Sequence, residues 1–348
     1  MALDIEVNTG EIDRSFDVYL DELLGSPEKI LKGLASVGYI TDMPTAYAVW
    51  YAYDQNLPLL QEGPPGAGKT VLSTSIQKLT GMELHRLQCY EGITNKDAFG
   101  DWNKPLQDLY TLANRGREIS SVEQIKKETF SFNFFNAGAL LKSIMSRRRS
   151  ILLIDEVDKV PSAFEAMLLE LTGEWQISDR DFGTFEAITK PLVILTSNAT
   201  RELGDALRRR SSTIFVKHPT PELEAKVIAM QAPDLSLQTK LFIAGFAKAL
   251  RVEARMEKPP SISEMKHVAR AMQKLKLAEL RGEHCELFLP LIAKRENDIN
   301  KMRKENQFGY LVNLAKKYAR EIDPKSLEME APPNQEISDR SEQETVNA

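Results

Sequence analysis

The chain has 348 residues, 42% of them apolar and 27% charged, with a net charge of −5; this describes an ordinary globular protein and excludes collagenous and disulfide-rich classes. Its apolar runs are too short to cross a bilayer, and residues 1–15 lack the basic start and apolar stretch of a signal peptide, so a cytoplasmic protein without a membrane span is expected. Eight acidic and two basic residues fall in 321–348, which leaves the first 320 near +1 and without the basic field that nucleic-acid binding requires.

In chain order, Ile12, Phe16, Tyr19, Leu20 and Leu23 recur at helical spacing and predict a short helix within a lead-in over 1–36. Residues 57–62 are a brief apolar run ending at a Gly-rich turn, and 69–79, free of breakers, read as a helix. Four more β-rich runs follow at 84–89, 151–155, 192–196 and 213–217. Helical stretches separate them, so 37–220 is predicted to be an α/β core with a parallel five-stranded sheet covered on both faces. A hairpin is expected within 174–190, centred on Asp179 to Gly183. From Pro221 strand signals vanish, and 221–320 read as an all-helical domain with a break at Pro290. Residues 321–348 have almost no large apolar groups and are expected to form a disordered acidic tail.

The chemistry begins at 63–70. Gly63, Pro64, Pro65, Gly66, Ala67, Gly68, Lys69 and Thr70 fit G-x-x-x-x-G-K-[S/T] between a strand and a helix, the setting that separates phosphate loops from chance matches. Gly66 and Gly68 permit the backbone to aim successive N–H groups at phosphate oxygens, and Val71 continues the nucleotide-binding stretch into the helix. Lys69 is expected at the β- and γ-phosphates and Thr70 on Mg²⁺. Residues 151–156 place four apolar side chains before Asp155 and Glu156, two carboxylates at the edge where open α/β sheets bind ligands. Asp155 is the second metal-holding candidate, and Glu156 the base that orients and deprotonates the attacking water.

A third apolar run, 192–198, ends in Asn198, a candidate sensor of the attacking water or the γ-phosphate. Arg208, Arg209 and Arg210 precede the last strand, and one of them is expected to reach a neighbouring subunit's γ-phosphate, with Arg209 and Arg210 the preferred pair. The other triplet, Arg147, Arg148 and Arg149, reads as surface charge or a partner contact. Asn95, Lys96, Asp97 and Ala98 lack the last carboxylate of the guanine-reading N-K-x-D pattern, which favours adenine. Cys89 and Cys285 form no CxxC, and the four histidines have no ligand spacing, so no zinc site is expected.

In this order the motifs resemble the AAA+ ATPases, with details similar to the MoxR family and its CoxD-like branch. The likeness runs from about Gly38 to Arg270. It rests on Gly38, Tyr39 and Ile40; the string from Arg86 to Gly92; Asp155, Glu156, Val157, Asp158 and Lys159; Leu195 to Asn198; and Asp205 to Arg210. The resemblance implies an AAA+ P-loop core followed by a helical lid, and a homohexameric ring with ATP and Mg²⁺ between protomers. It also implies an insert within 92–149 which, with the hairpin, touches a partner. Members of that family act with a von Willebrand factor A domain protein to remodel or activate metalloenzymes, so a chaperone acting on a client enzyme is the implied role. One departure stands out: residues 259–264 contain no arginine where many members carry one, which leaves Arg270 as the nearest candidate. The alternative function is a motor subunit of a nucleic-acid-processing or defence system. A regulatory module that binds nucleotide without hydrolysis is disfavoured by the intact Glu156.

Overall fold

The strand at 151–155 is expected in the interior of a sheet because it is an apolar run without a breaker, and the computed structural model places it there, second in the order, with the strand at 192–197 at the centre. The structure describes residues 12–114, 129, 131–179, 183–304 and 306–327. The chain divides into two units, Met1–His218 with Ser261–Ser263, and Pro219–Pro260 with Glu264–Ala348.

The first unit contains β1 (Leu59–Glu62), β2 (Leu84–Gln88), β3 (Gly100–Trp102), β4 (Phe135–Ala137), β5 (Ile151–Asp155), β6 (Gln176–Asp179), β7 (Gly183–Glu186), β8 (Leu192–Ser197) and β9 (Ser212–Phe215). All five strands expected from the apolar runs form one sheet in the order β2-β5-β8-β1-β9, with every neighbouring pair parallel. Its helices are α1 (Arg14–Leu24), α2 (Pro27–Ser36), α3 (Met43–Asp54), α4 (Lys69–Thr80), α5 (Asn95–Phe99), α6 (Lys104–Ala113), α7 (Ala139–Ile144), α8 (Ser162–Glu174) and α9 (Asp205–Arg209). Leu59, Ile151, Leu153 and Ile194 pack against Leu20, Val49, Leu72 and Ile76 of α1, α3 and α4. Leu60, Leu152, Ile154 and Leu195 pack on the other face against Leu141, Phe164, Leu171 and Leu207 of α7, α8 and α9. With both faces covered, the four apolar residues of β5 are all 0% exposed, which is why the strand is a continuous apolar run rather than an alternating one.

The lead-in is two helices, not the single short one expected. Gly25 ends α1, Ser26 accepts from Lys29 N at 3.3 Å, and Pro27, with no N–H to donate, opens α2. The hairpin is present as β6 and β7, paired antiparallel from Gln176↔Glu186 to Asp179↔Gly183, with residues 180–182 of its turn outside the described residues. Within the expected insert, β3 pairs antiparallel with β4 and α6 stands between them in sequence; residues 115–128 and 130 lie outside the described residues.

Of Arg147, Arg148 and Arg149, read as surface charge or a partner contact, Arg148 is exposed and the reading of Arg149 is corrected. Arg149 stacks on Tyr53 with its guanidinium carbon 4.2 Å from the ring centroid, and donates to Tyr53 O and Asn56 Oδ1, both at 2.8 Å. Arg148 donates to Asp13 Oδ2 at 2.8 Å. Two of the three arginines therefore fasten the lead-in and α3 to the β5 side of the core. Arg149→Met is expected to cost about 2–3 kcal/mol in urea unfolding, through the lost cation–π contact and hydrogen bonds. Arg147→Met should stay within about 0.5 kcal/mol; equal effects would return Arg149 to the surface reading.

The second unit is helical: α10 (Pro221–Gln231), α11 (Leu237–Val252), α12 (Ile262–Lys274), α13 (Cys285–Ile292), α14 (Glu296–Arg303) and α15 (Gln307–Glu321). Phe246, Leu250, Phe288 and Leu311 are in its core, and the buried pair Arg251–Glu224 joins α11 to α10. The expected break at Pro290 is absent: Pro290 lies inside α13, which runs two residues further before ending. The unit continues past Glu321 through buried Ile322 to a 3₁₀ turn at Pro324–Leu327, and the rest of the acidic tail, 328–348, lies outside the described residues.

Candidate functional site

β1 lies inside the sheet between β8 and β9 and hands the chain to the phosphate loop, so the loop opens beside the end of β8, with β5 the next strand over. Gly66 (φ +77°) and Gly68 (φ +94°) occupy left-handed backbone that L side chains rarely adopt. Gly68 caps α4 without any side-chain acceptor, so no side chain covers the N-terminus of this 12-residue helix, where an anion would bind.

Lys69 is 7% exposed, and its ammonium donates to Gly63 O at 2.7 Å, Pro64 O at 3.0 Å and Asn198 Oδ1 at 2.9 Å. Burial pushes its pKa below the usual lysine value, against the pull of the Asp158, Asp155 and Glu156 carboxylates. Asn198 in turn donates through Nδ2 to Glu156 Oε1 at 3.3 Å. The expected phosphate lysine, sensor amide and base are thus one connected cluster drawn from three elements.

Thr70 Oγ1 lies 3.4 Å from both oxygens of Asp155. These hard oxygen donors beside a phosphate loop fit Mg²⁺, which takes one or two protein oxygens and keeps waters and phosphate oxygens for the rest. Among the described residues no cluster of three or more His, Cys, Asp and Glu side chains could hold a metal alone. Asp155 also accepts from Thr196 Oγ1 and, at 2.6 Å, from Arg86 Nη2.

Glu156 sits at φ +60°, ψ +47°, a left-handed conformation that costs a non-glycine residue about 1–2 kcal/mol. Its N–H donates to Thr196 Oγ1 at 3.0 Å and its carbonyl accepts from Lys159 N at 3.0 Å, so the surrounding structure holds it there. Its carboxylate accepts from Gln88 Nε2 at 3.1 Å and from Lys159 Nζ. The motifs assign no role to Arg86, Gln88 and Thr196, although Arg86 and Gln88 alternate around Leu87 and so share one face of a strand.

The arginine triplet separates. Arg208 makes a two-pronged pair with buried Glu62, at 2.8 and 2.7 Å. Arg210 is exposed and donates to Leu169 O at 3.2 Å. Arg209 is exposed and has no hydrogen bond or ion pair among the described residues. Arg270, in the helical unit, donates to Gln231 Oε1 at 3.3 Å.

A phosphate loop running into α4 beside two carboxylates on the next strand but one defines a P-loop nucleoside triphosphatase core. Residues 59–219 match the family described as ATPase family associated with various cellular activities (AAA), so the chain carries an AAA+ ATPase domain spanning β1 through β9. Among curated proteins none matches the chain. No helix among the described residues is long and apolar enough to cross a membrane.

Proposed function

We propose that the chain hydrolyses ATP as the protomer of a homohexameric ring in the cytoplasm and uses the cycle to remodel a partner protein complex. The observation that carries this reading is the connected cluster of Lys69, Asn198 and Glu156 beside the Thr70 and Asp155 oxygens. The N–H groups of 66–70 bind the phosphates, Lys69 turns from its backbone carbonyls to the β- and γ-oxygens, and Asn198 and Glu156 hold the attacking water in line, Glu156 taking its proton. Thr70 and Asp155 would hold Mg²⁺, which would supply neutralisation of the charge that develops on the phosphates. Arg209, exposed and without a hydrogen bond or ion pair among the described residues, is the group that completes the neighbouring protomer's site.

The AAA+ domain together with the MoxR-like strings supports the finer reading: a chaperone acting with a von Willebrand factor A domain protein on a metalloenzyme, through the β6–β7 hairpin and the β3–β4 insert. Steady-state ATPase rates across protein concentration, paired with mass photometry in ATP, test the motor. Specific activity should rise as hexamers form; a concentration-independent rate from a monomer would overturn the ring mechanism. Pull-down in the ATP state should recover a von Willebrand factor A protein or its enzyme client. Recovery of nucleic acid alone, with DNA-stimulated turnover, would replace the chaperone by a nucleic-acid motor.

A further inference from the structure

The loop from Asn198 to Gly204 joins the sensor end of β8 to α9, the helix that carries Arg209, and two buried acids with no role in the chemistry above grip its two ends. Asp158, 3% exposed, accepts from Asn198 N at 3.1 Å and from Thr200 N at 3.0 Å and Thr200 Oγ1. Burial raises its pKa, but these hydrogen bonds outweigh burial and hold the carboxyl below its usual value. Glu165, 7% exposed on α8, accepts from Gly204 N at 3.0 Å and pairs with Arg201 at 2.5 Å. Arg201 spans the space between them, donating to Asp158 O at 3.3 Å and Val160 O at 2.7 Å.

The helix needs such a grip. At five residues α9 is too short to hold its own direction, and its N-cap, Gly204, offers no side chain to close the first turn. Glu165 reaches that N-cap from outside, and closely: a Cβ on Gly204 would sit 2.9 Å from Glu165 Oε2. The stretch that follows the base Glu156 therefore fixes the sensor through Asp158 and the start of the finger helix through Glu165.

We propose that Glu165, acting through Arg201, is the positioning residue that aims Arg209 at the neighbouring protomer's nucleotide; this rests on the trans-acting finger proposed above. Its effect falls on the neighbour's site and leaves its own chain's phosphate loop, base and sensor competent. A residue that merely stabilised the domain would impair its own chain's site instead.

Mixed rings separate the two. Glu165→Gln keeps shape and an acceptor for Gly204 N but loses the charge that holds Arg201; since small misplacements of a catalytic group cost up to about 100-fold, kcat should fall about 10- to 100-fold with KM for ATP within about twofold. Glu156→Gln protomers cannot hydrolyse but present an intact finger. Mixed in equal amounts with Glu165→Gln, they should restore about a quarter of the wild-type rate, the share of random head-to-tail interfaces that join a competent site to an intact finger. Arg209→Ala mixed with Glu156→Gln is the control for the finger itself. If the control complements and Glu165→Gln does not, or if Glu165→Gln alone turns over at the wild-type rate, the positioning role is overturned and the finger stands. If neither mixture complements, the trans finger fails and the inference with it. Arg201→Met removes the same pair from its exposed side and should behave as Glu165→Gln does; should Glu165→Gln not fold, this variant decides by the same outcomes.

Discussion

Glu156→Gln is expected to bind ATP as the wild type does and to turn it over about 10²- to 10⁴-fold more slowly, the usual worth of a positioned general base. The two effects separate because Glu156 touches no part of the phosphate loop directly: its partners are Gln88, Lys159, Thr196 and Asn198. Glutamine preserves the shape, and the left-handed backbone at φ +60° is held by main-chain bonds that the substitution leaves in place. What disappears is the ability to accept a proton. Glu156→Gly sharpens the test, because it relieves about 1–2 kcal/mol of backbone strain while removing the same carboxylate. It should therefore be as inactive as Glu156→Gln without the loss of stability expected of a disrupted fold. Single-turnover hydrolysis measured beside a fluorescent-nucleotide titration reads both quantities. An unchanged rate, or binding lost in step with the rate, would remove Glu156 from the chemistry.

The residues readable from sequence are those whose neighbours in the chain are also their neighbours in space. The phosphate loop is contiguous, and the strands ending in Asp155 and Asn198 reveal themselves because a strand covered on both faces must be apolar throughout. For that reason all five strands of the sheet are legible in the sequence. Contacts that depend on strand order were hidden. Arg86 meets Asp155 only because β2 and β5 are adjacent, and 62 residues separate the ends of those strands in the chain. Arg149 looked like surface charge because nothing in Arg147, Arg148 and Arg149 announces that Tyr53 waits beneath it. The lead-in was read as one helix because its apolar spacing continues on either side of Gly25, Ser26 and Pro27, and only the cap geometry breaks it. Asp158 had been read only as part of a family string, yet it is the residue that fixes the backbone of Asn198.

The arginine triplet carries the sharpest contrast in the molecule, since adjacent residues on a helix point about 100° apart and meet different surroundings. Arg208→Ala is expected to destabilise the fold by about 3–5 kcal/mol, because it strands the Glu62 carboxylate without its two-pronged partner in a buried position. Arg209→Ala removes no hydrogen bond or ion pair among the described residues, so its unfolding free energy should stay within about 0.5 kcal/mol of wild type. Its kcat in assembled rings should nevertheless fall about 10³-fold or more, the scale of an arginine finger. Guanidinium unfolding and ring-state ATPase, measured on both variants, give four numbers whose pattern matters more than any one. A double replacement, Glu62→Leu with Arg208→Met, extends the argument: a buried ion pair exchanged for apolar groups of similar size commonly costs little, so most of the stability lost in Arg208→Ala should return. If instead Arg208→Ala is stable and inactive while Arg209→Ala is merely neutral, Arg208 must leave Glu62 to serve the neighbouring site. The pair Arg208–Glu62 would then be a resting contact that opens on assembly.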